Sequence, residues 1–372
     1  MKKKLTMAEP FFSLKEKKIF LSKSSKILNS SLSMGKNVMN FEEQFKKKMN
    51  FKYAIAMNSC TATLESALKF SSHKKKKVII SPQTFIANAT AVFNAGKVPV
   101  FAKVNSDHLS IDYNDLKQKI DNNTAALILV HMYGRINPDI IKIKQICNKK
   151  KILLIEDCAH SVGAKLGNKY AGSFGDFGCF SFYPTKIITS AEGGMLVTNK
   201  KKNADYARSY QLRGRNIFKK DEVYNFCGRN VRMTEFSGLL GCMQLKKLNY
   251  YLKLRRSNAI YYKTKLSNID KVRIPEIADI QNSSYWKFLI LLPNKKCRDG
   301  LLKYLKYNKI FADKSYFPLL HKQPALKNKI KITKSLIDSE KNCEKHLLLP
   351  CHPRITKNNI NRISNLIKKY LK

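Results

Sequence analysis

The stretch AALILVHMYGRINPDIIKIKQICNKKKILLIEDCAH, residues 125–160, decides the fold. It opens on a continuous apolar run of strand length, 125–131, and closes on a second, 152–156. Between them, residues 138–149 place apolar side chains at helical spacing. A strand with no polar face must be covered on both sides. Two such strands joined by an amphipathic helix are the repeating unit of a parallel sheet between helix layers. The alternation continues outward in both directions. Upstream, 62–70 predicts a helix, 78–81 a strand, 85–95 a helix and 98–101 a strand. Downstream, 177–182 and 194–198 predict two further strands. From Glu235 the pattern changes to one long helix reaching Leu266, then a strand over 286–292 and helices near 298–308 and 357–371. The chain therefore reads as an α/β protein. A large domain with a mostly parallel sheet, 1–245 including an N-terminal arm, precedes a smaller α/β domain, 246–372.

A chain of 372 residues that is 44% hydrophobic can bury a large core in such an arrangement. No apolar run approaches the roughly 18 residues that span a bilayer. The basic start MKKKLTMAEPFFSLKEKK lacks the apolar stretch and cleavage site of a secretory signal, so a cytoplasmic protein without membrane insertion is expected. Nine cysteines, an odd number with no CxxC pair, predict free thiols rather than disulfides or a zinc site, and no metal is expected. The net charge of +45 invites a nucleic-acid reading. The lysine runs at 2–4, 46–48, 74–77, 149–151 and 200–202 are spread along the whole chain, however, and no recognition motif accompanies them. Lysine, asparagine and isoleucine are all plentiful, which fits a coding bias, and nucleic acid is not an expected partner. The charge would still attract a substrate carrying phosphates.

In parallel α/β sheets ligands bind beyond the carboxyl ends of the strands. Glu156 and Asp157 end one strand, His131 another and Ser181 a third, with Lys186 five residues further on. Asn58, Ser59, Cys60, Thr61 and Ala62 precede a helix, whose N-terminus can hold an anion. Taken singly each residue has an ordinary explanation. Asp157, Ser59 and Thr61 suit helix N-caps, Lys186 is one lysine among many, and Gly172, Gly175 and Gly178 read as turn residues because no helix follows them. Together they suit one cofactor. Pyridoxal phosphate needs a lysine for its aldehyde, an acid for its pyridine nitrogen, hydroxyls and a helix N-terminus for its phosphate, and a flat side chain over its ring. Lys186, Asp157, Ser181 with 59–62, and Phe85 can fill those places.

The motifs PQTFIANA (82–89), VHMYG (130–134), IEDCAHSVGA (155–164), GSFGDFGCFSFYPTK (172–186), AEGGMLVTN (191–199) and GRNVRMTEFSGLLGCMQL (228–245) occur in this order. The chain thereby resembles the DegT/DnrJ/StrS family of sugar-nucleotide aminotransferases nearly end to end, from Gly35 to Pro353. The resemblance implies the aspartate aminotransferase fold, the type I fold of pyridoxal-phosphate enzymes. It implies Lys186 as the Schiff-base lysine, Asp157 as partner of the pyridine nitrogen, and His160 on the ring-hydroxyl side. Phe85 becomes the stacking aromatic, and Thr61, Ala62 and Ser181 the phosphate ligands, with Cys60 between Ser59 and Thr61. Asn230 would be a phosphate ligand donated by the second subunit of a homodimer with shared active sites, and Tyr316, His321 and Arg232 would lie near the substrate. The chain departs from the family pattern at Cys60, where glycine is common, at Ile187, where asparagine often follows the lysine, and at Val231, where tyrosine is usual.

The implied reaction carries an amino group from glutamate, by way of Lys186 and the cofactor, to a nucleotide-linked keto sugar in two half-reactions. His160 with Glu192-Gly193-Gly194 tilts the position on the sugar toward C-4 of a 6-deoxyhexose. The alternatives are action at C-3, or a dehydratase of the same fold, in which histidine replaces the lysine. A non-catalytic basic binding protein is a third alternative. Nucleotide, sugar stereochemistry and pathway stay open at this point.

Overall fold

A computed structural model describes residues 4–275, 281–330 and 333–372. The chain starts with two helices, α1 (Leu14–Leu28) and α2 (Lys36–Lys48). A run of alternating elements follows: β1 (Tyr53–Met57), α3 (Cys60–Lys69), β2 (Lys77–Ile80), α4 (Ala87–Asn94), β3 (Val98–Phe101), α5 (Tyr113–Lys119), β4 (Thr124–Val130), α6 (Ile140–Lys149) and β5 (Leu153–Asp157). A small hairpin, β6 (Lys165–Leu166) and β7 (Lys169–Tyr170), leads into β8 (Phe177–Ser181), β9 (Gly194–Thr198) and α7 (Lys201–Gln211). The C-terminal third contains α8 (Glu235–Lys246), α9 (Leu248–Leu266), β10 (Phe288–Leu291), α10 (Lys295–Tyr307), α11 (Lys334–Cys343), β11 (His346–Leu349) and α12 (Lys357–Leu371).

Seven strands form one sheet in the order β1-β9-β8-β5-β4-β2-β3. The block β8-β5-β4-β2-β3 is parallel, and β9 runs antiparallel to both its neighbours. Every residue of β4, β8 and β9 is buried, as expected of strands covered on both faces. One apolar layer joins α2 to the inner faces of β8 and β9 through Phe41, Phe45, Phe180 and Phe182, whose rings meet at 5.0 to 6.2 Å. The opposite layer packs α3 and α4 on β2, β4 and β5.

Glu156 ties the sheet to the glycine turn that follows it. Its carboxylate is wholly buried and accepts the backbone N–H groups of Gly172, Phe174 and Gly175 at 2.8, 2.7 and 2.6 Å. The same carboxylate lies 2.8 Å from His131 Nε2. Gly172 has φ +93°, a conformation that favours glycine, and a Cβ on Gly175 would meet the Leu154 carbonyl at 2.5 Å. The turn reading of Gly172 and Gly175 agrees with the structure, and Glu156 explains why they are needed, whereas Gly178, also expected in a turn, lies within β8, paired with Glu156 and Val197. His131, Glu156 and Cys158 approach one another closely enough to suggest a metal site. Both Glu156 oxygens are already engaged by backbone donors, and burial holds the Cys158 thiol protonated.

The structure corrects two expectations. The long helix expected from Glu235 to Leu266 breaks at Lys247, whose amine reaches back to the Phe11 carbonyl at 2.7 Å and to Glu16 at 2.6 Å. The strand expected over 286–292 is not alone, because β10 pairs antiparallel with β11. These two strands and α9, α10 and α12 enclose a core of their own around Ile290, Leu301, Leu347 and Ile363. Leu5, from the N-terminal end, belongs to that core and bridges Ile310.

Glu156→Ala would strand three buried N–H donors and is expected to cost about 3 kcal/mol or more. The check is the midpoint of chemical denaturation, and an unchanged midpoint would show that the carboxylate does not hold the turn.

Candidate active site

Three elements converge at the carboxyl edge of the sheet. Asp157 ends β5, Ser181 ends β8, and the N-terminus of α3 opens two residues after β1. Asp157 pairs in register with Cys179 of β8, so Asp157 and Ser181 stand on adjacent strands at the same edge.

Asp157 is buried, and both its oxygens are oriented by donors. Oδ2 accepts from Asn88 Nδ2 at 2.8 Å, and Oδ1 accepts the Ala159 N–H at 2.9 Å. Asn88 also reaches Thr84 Oγ1 at 2.8 Å, so the PQTFIANA stretch fixes the carboxylate from the neighbouring element. Lys186 is partly buried, and its amine lies 4.7 Å from the centre of the Trp286 ring. Desolvation pushes that amine down to about 8, against the opposing pull of the Asp157 charge. The Asp157 charge therefore acts on the Lys186 amine.

His160 is buried and stacks on Trp286 with ring centres 3.8 Å apart and planes 7° from parallel. Burial, then the charges of Lys186 and Lys287, pushes its pKa well below the ordinary histidine range, so the ring is neutral. Its Nε2 lies 3.1 Å from the Tyr316 hydroxyl. Desolvation pushes that phenol far up, so Tyr316 keeps its proton and can donate it to Nε2. With Tyr316 as donor the imidazole proton stands on Nδ1, which is buried and has no partner among the described residues. Trp286 is itself fixed by its indole N–H, which donates to the Thr185 carbonyl at 2.7 Å.

The second half of the site is a cradle. Ser59 caps α3, its hydroxyl accepting the Ala62 N–H at 3.1 Å, while the N–H groups of Cys60 and Thr61 have no intrahelical partner. Ser181 pairs with Gly194 across the sheet. A Cβ on Gly194 would meet the Ser59 carbonyl at 2.4 Å and the Cys60 nitrogen at 2.6 Å. Only glycine at 194 lets β9, paired there with Ser181 of β8, pass this close to the start of α3. A helix N-terminus beside a serine hydroxyl is a donor set for a phosphate. Together with the desolvated lysine, the oriented carboxylate and the unpartnered His160 Nδ1, it fits the cofactor expected from the sequence.

Tyr316 lies in this group, and its ring stands 5.8 Å from Phe85, which is 55% exposed and so free to cover a ligand. Asn230 is exposed and accepts a hydrogen bond from Arg232 at 3.0 Å. The segment 230–232 runs beside the α3 cradle of the same chain, with Arg232 bridging Met57 and the Val231 carbonyl accepting the Asn58 N–H at 2.9 Å. His321 is placed elsewhere. It is buried against Phe101 at the end of the edge strand β3, with Nε2 2.7 Å from Glu340 of α11. Ala62 likewise offers no free backbone donor, since Ser59 takes it. Sequence reasoning missed Trp286 and Asn88. Trp286 is the chain's only tryptophan, and Asn88 stands three residues after Phe85 on the same helical approach, so both left a signal.

The protein-family profile described as the DegT/DnrJ/EryC1/StrS aminotransferase family matches residues 15–368. The chain is 29% identical to the GDP-perosamine synthase of Vibrio cholerae, over 91% of this chain and 92% of that protein. It is 28% identical to the UDP-4-amino-4,6-dideoxy-N-acetyl-beta-L-altrosamine transaminase of Helicobacter pylori, over 99% and 98%. Among solved structures, PseC of Helicobacter pylori, an aminotransferase involved in the biosynthesis of pseudoaminic acid, superimposes with a TM-score of 0.89 and 26% identity, covering 99% of each chain. No helix among the described residues is long and apolar enough to cross a membrane. With the fold, the lysine–aspartate pocket and the phosphate cradle arranged as above, the chain belongs to the DegT/DnrJ/EryC1/StrS aminotransferase family.

Proposed function

We propose that the protein is a pyridoxal-phosphate-dependent aminotransferase that moves an amino group from glutamate to C-4 of a nucleotide-linked 4-keto-6-deoxyhexose. The observation that carries this reading is the desolvated Lys186 amine above Trp286, under the charge of an Asp157 carboxylate held by Asn88. When bound, the cofactor supplies the carbonyl that accepts the amino group and a ring that takes up electrons from the reacting carbon.

The protein's own residues do the rest. Asp157 accepts the hydrogen bond of the ring nitrogen and keeps it protonated, with its orientation set by Asn88 and the Ala159 N–H. The α3 N-terminus at Cys60 and Thr61, with Ser181, holds the phosphate. His160 donates from Nδ1 to the ring-hydroxyl oxygen, its ring clamped between Trp286 and the Tyr316 hydroxyl. Phe85 covers the ring. Lys186 then moves the proton between the amino-donor carbon and the cofactor, which an amine with pKa about 8 can do in either direction near neutrality. A lysine at this position argues against the dehydratase alternative, and the retained lysine, aspartate and serine argue against a non-catalytic binding protein.

The named relatives act on sugars linked to different nucleotides, GDP in one and UDP in the other, so the nucleotide is left open. The 4-amino product in the second name supports C-4. The basic surface favours a diphosphate-bearing substrate. A homodimer fits the exposed Leu14, Leu21, Leu28, Leu32 and Met39 on the first two helices and their connection, apolar side chains that a second copy would cover. In such a dimer Asn230 would reach the neighbouring site. The protein would work in the cytoplasm, where nucleotide sugars and free thiols both occur.

Borohydride reduction of the cofactor-loaded protein, followed by peptide mapping, is expected to place the added mass on Lys186, and a different lysine would overturn the assignment. A panel of nucleotide-linked 4-keto and 3-keto 6-deoxyhexoses with glutamate should release 2-oxoglutarate with a 4-keto member, and silence throughout would sink the sugar reading alone. Only the neutral amine attacks the cofactor aldehyde. Loading of cofactor-free protein should therefore quicken about tenfold per pH unit below pH 8 and level off above it. A rise that continues to pH 10 would place Lys186 at the ordinary lysine value. Asn88→Ala leaves Asp157 one donor short and is expected to lower kcat/KM about tenfold, with a smaller change in the KM for glutamate. Asn88→Asp should be worse than Asn88→Ala, because it sets a second carboxylate against Asp157.

A further inference from the structure

Away from this site, a cavity of about 590 Å³ lies where the loops after β3 and β4 meet the segment preceding β10. Its polar wall is made of Arg135, Arg273, Asp107, His108, Ser110 and Asn137. The volume is within the range of small-molecule pockets.

Arg135 is the unusual member. It is only 8% exposed, yet no carboxylate lies within ion-pair distance of it among the described residues. Its Nη2 donates to the His108 carbonyl at 3.0 Å, and its buried Nε has no hydrogen-bond partner among the described residues. Its electrostatic neighbours are the phenols Tyr133 and Tyr285 rather than a carboxylate. A buried cation without a counter-charge costs several kcal/mol, and a wall that keeps one is complementary to an anion from solution. Arg273 stands on the other side of the cavity, anchored by Nη2 to the Ser106 carbonyl at 2.8 Å. Its Nη1 is 3.5 Å from Asp107, the only carboxylate on the lining among the described residues, and that side chain is 78% exposed and free to turn outward. Burial and the Arg135 charge push His108 below the ordinary histidine range, so it adds a neutral polar group. Ser110 and Asn137 are held together at 2.8 Å, which makes this part of the wall rigid.

None of the lining residues belongs to the lysine–aspartate pocket. Tyr133 touches both regions, with the Arg135 guanidinium 5.7 Å from its ring centre and its ring parallel to His160 at 6.5 Å.

We propose that this cavity binds a small oxyanion of metabolite size, a carboxylate or a phosphate ester, between Arg135 and Arg273 and separately from the catalytic pocket. The test is calorimetric titration of the full-length, cofactor-loaded protein with two probes, citrate for carboxylates and inorganic pyrophosphate for phosphates. Saturable binding of at least one probe is expected, and whichever binds more tightly identifies the source. Arg135→Gln should weaken it about tenfold or more, the loss of one charge-assisted contact, while the KM for glutamate and the absorbance of the bound cofactor stay unchanged. If Arg135→Gln does not fold, Arg273→Ala, a change at a half-exposed position, decides in its place. Failure of both probes to bind, or binding that neither variant weakens, overturns the proposal.

Discussion

A lysine amine taken out of water beside a buried carboxylate is the constraint that organises this molecule. Desolvation favours the neutral amine, and the carboxylate favours the charged one. Desolvation wins here and leaves Lys186 at about 8. The balance requires Asp157 to stay in place without closing on the lysine as an ion pair. Asn88 and the Ala159 N–H do this by occupying its oxygens, and Trp286 gives the ammonium form a face to lie against. The amine remains available for chemistry because its neighbours are arranged around it and none is hydrogen-bonded to it among the described residues.

Two adjacent carboxylates in one strand serve opposite ends. Successive side chains of a strand point to opposite faces, so Glu156 and Asp157 cannot share an environment. Glu156 faces the glycine turn and is saturated by three backbone N–H groups. Asp157 faces the pocket with its two donors and lone pairs to spare. The turn that Glu156 organises leads directly into β8, which delivers Ser181 to the cradle and begins the descent to Lys186. A structural carboxylate thus sets the position of the functional residues downstream of it.

Close approach matters as much as charge. Gly194 admits the start of α3 to within contact of β9, and a methyl group there would push the phosphate cradle apart. The Glu192-Gly193-Gly194 triplet, read in the sequence as a hint about position on the sugar, has at least one physical duty that is independent of the sugar. The stacked set Trp286, His160 and Tyr316 joins the large sheet to the C-terminal third of the chain, so it forms only once the segment around β10 has docked. Arg135, which has no carboxylate partner among the described residues, lies at the same junction, beyond Tyr133.

The sequence by itself determined the parallel sheet, because apolar strands alternating with amphipathic helices have few other ways to hide two faces. It also nominated Lys186, Asp157, Ser181 and Phe85 by residue type and order along the chain, and His160 through the family resemblance. Boundaries were weaker where long-range contacts set them. The helix expected through 247 breaks where Lys247 turns to Glu16 and the Phe11 carbonyl, and β11 becomes a strand by pairing with β10. Only the tertiary structure decided which polar residues are spectators. His321 sits beside a plausible motif but faces Glu340, while Asn88 and Trp286, unremarkable in the sequence, hold the carboxylate and the imidazole. The physical reason is that periodicity and residue type report on what a side chain can do, whereas its partner is chosen by packing between segments as far apart as 157 and 88, or 160 and 286.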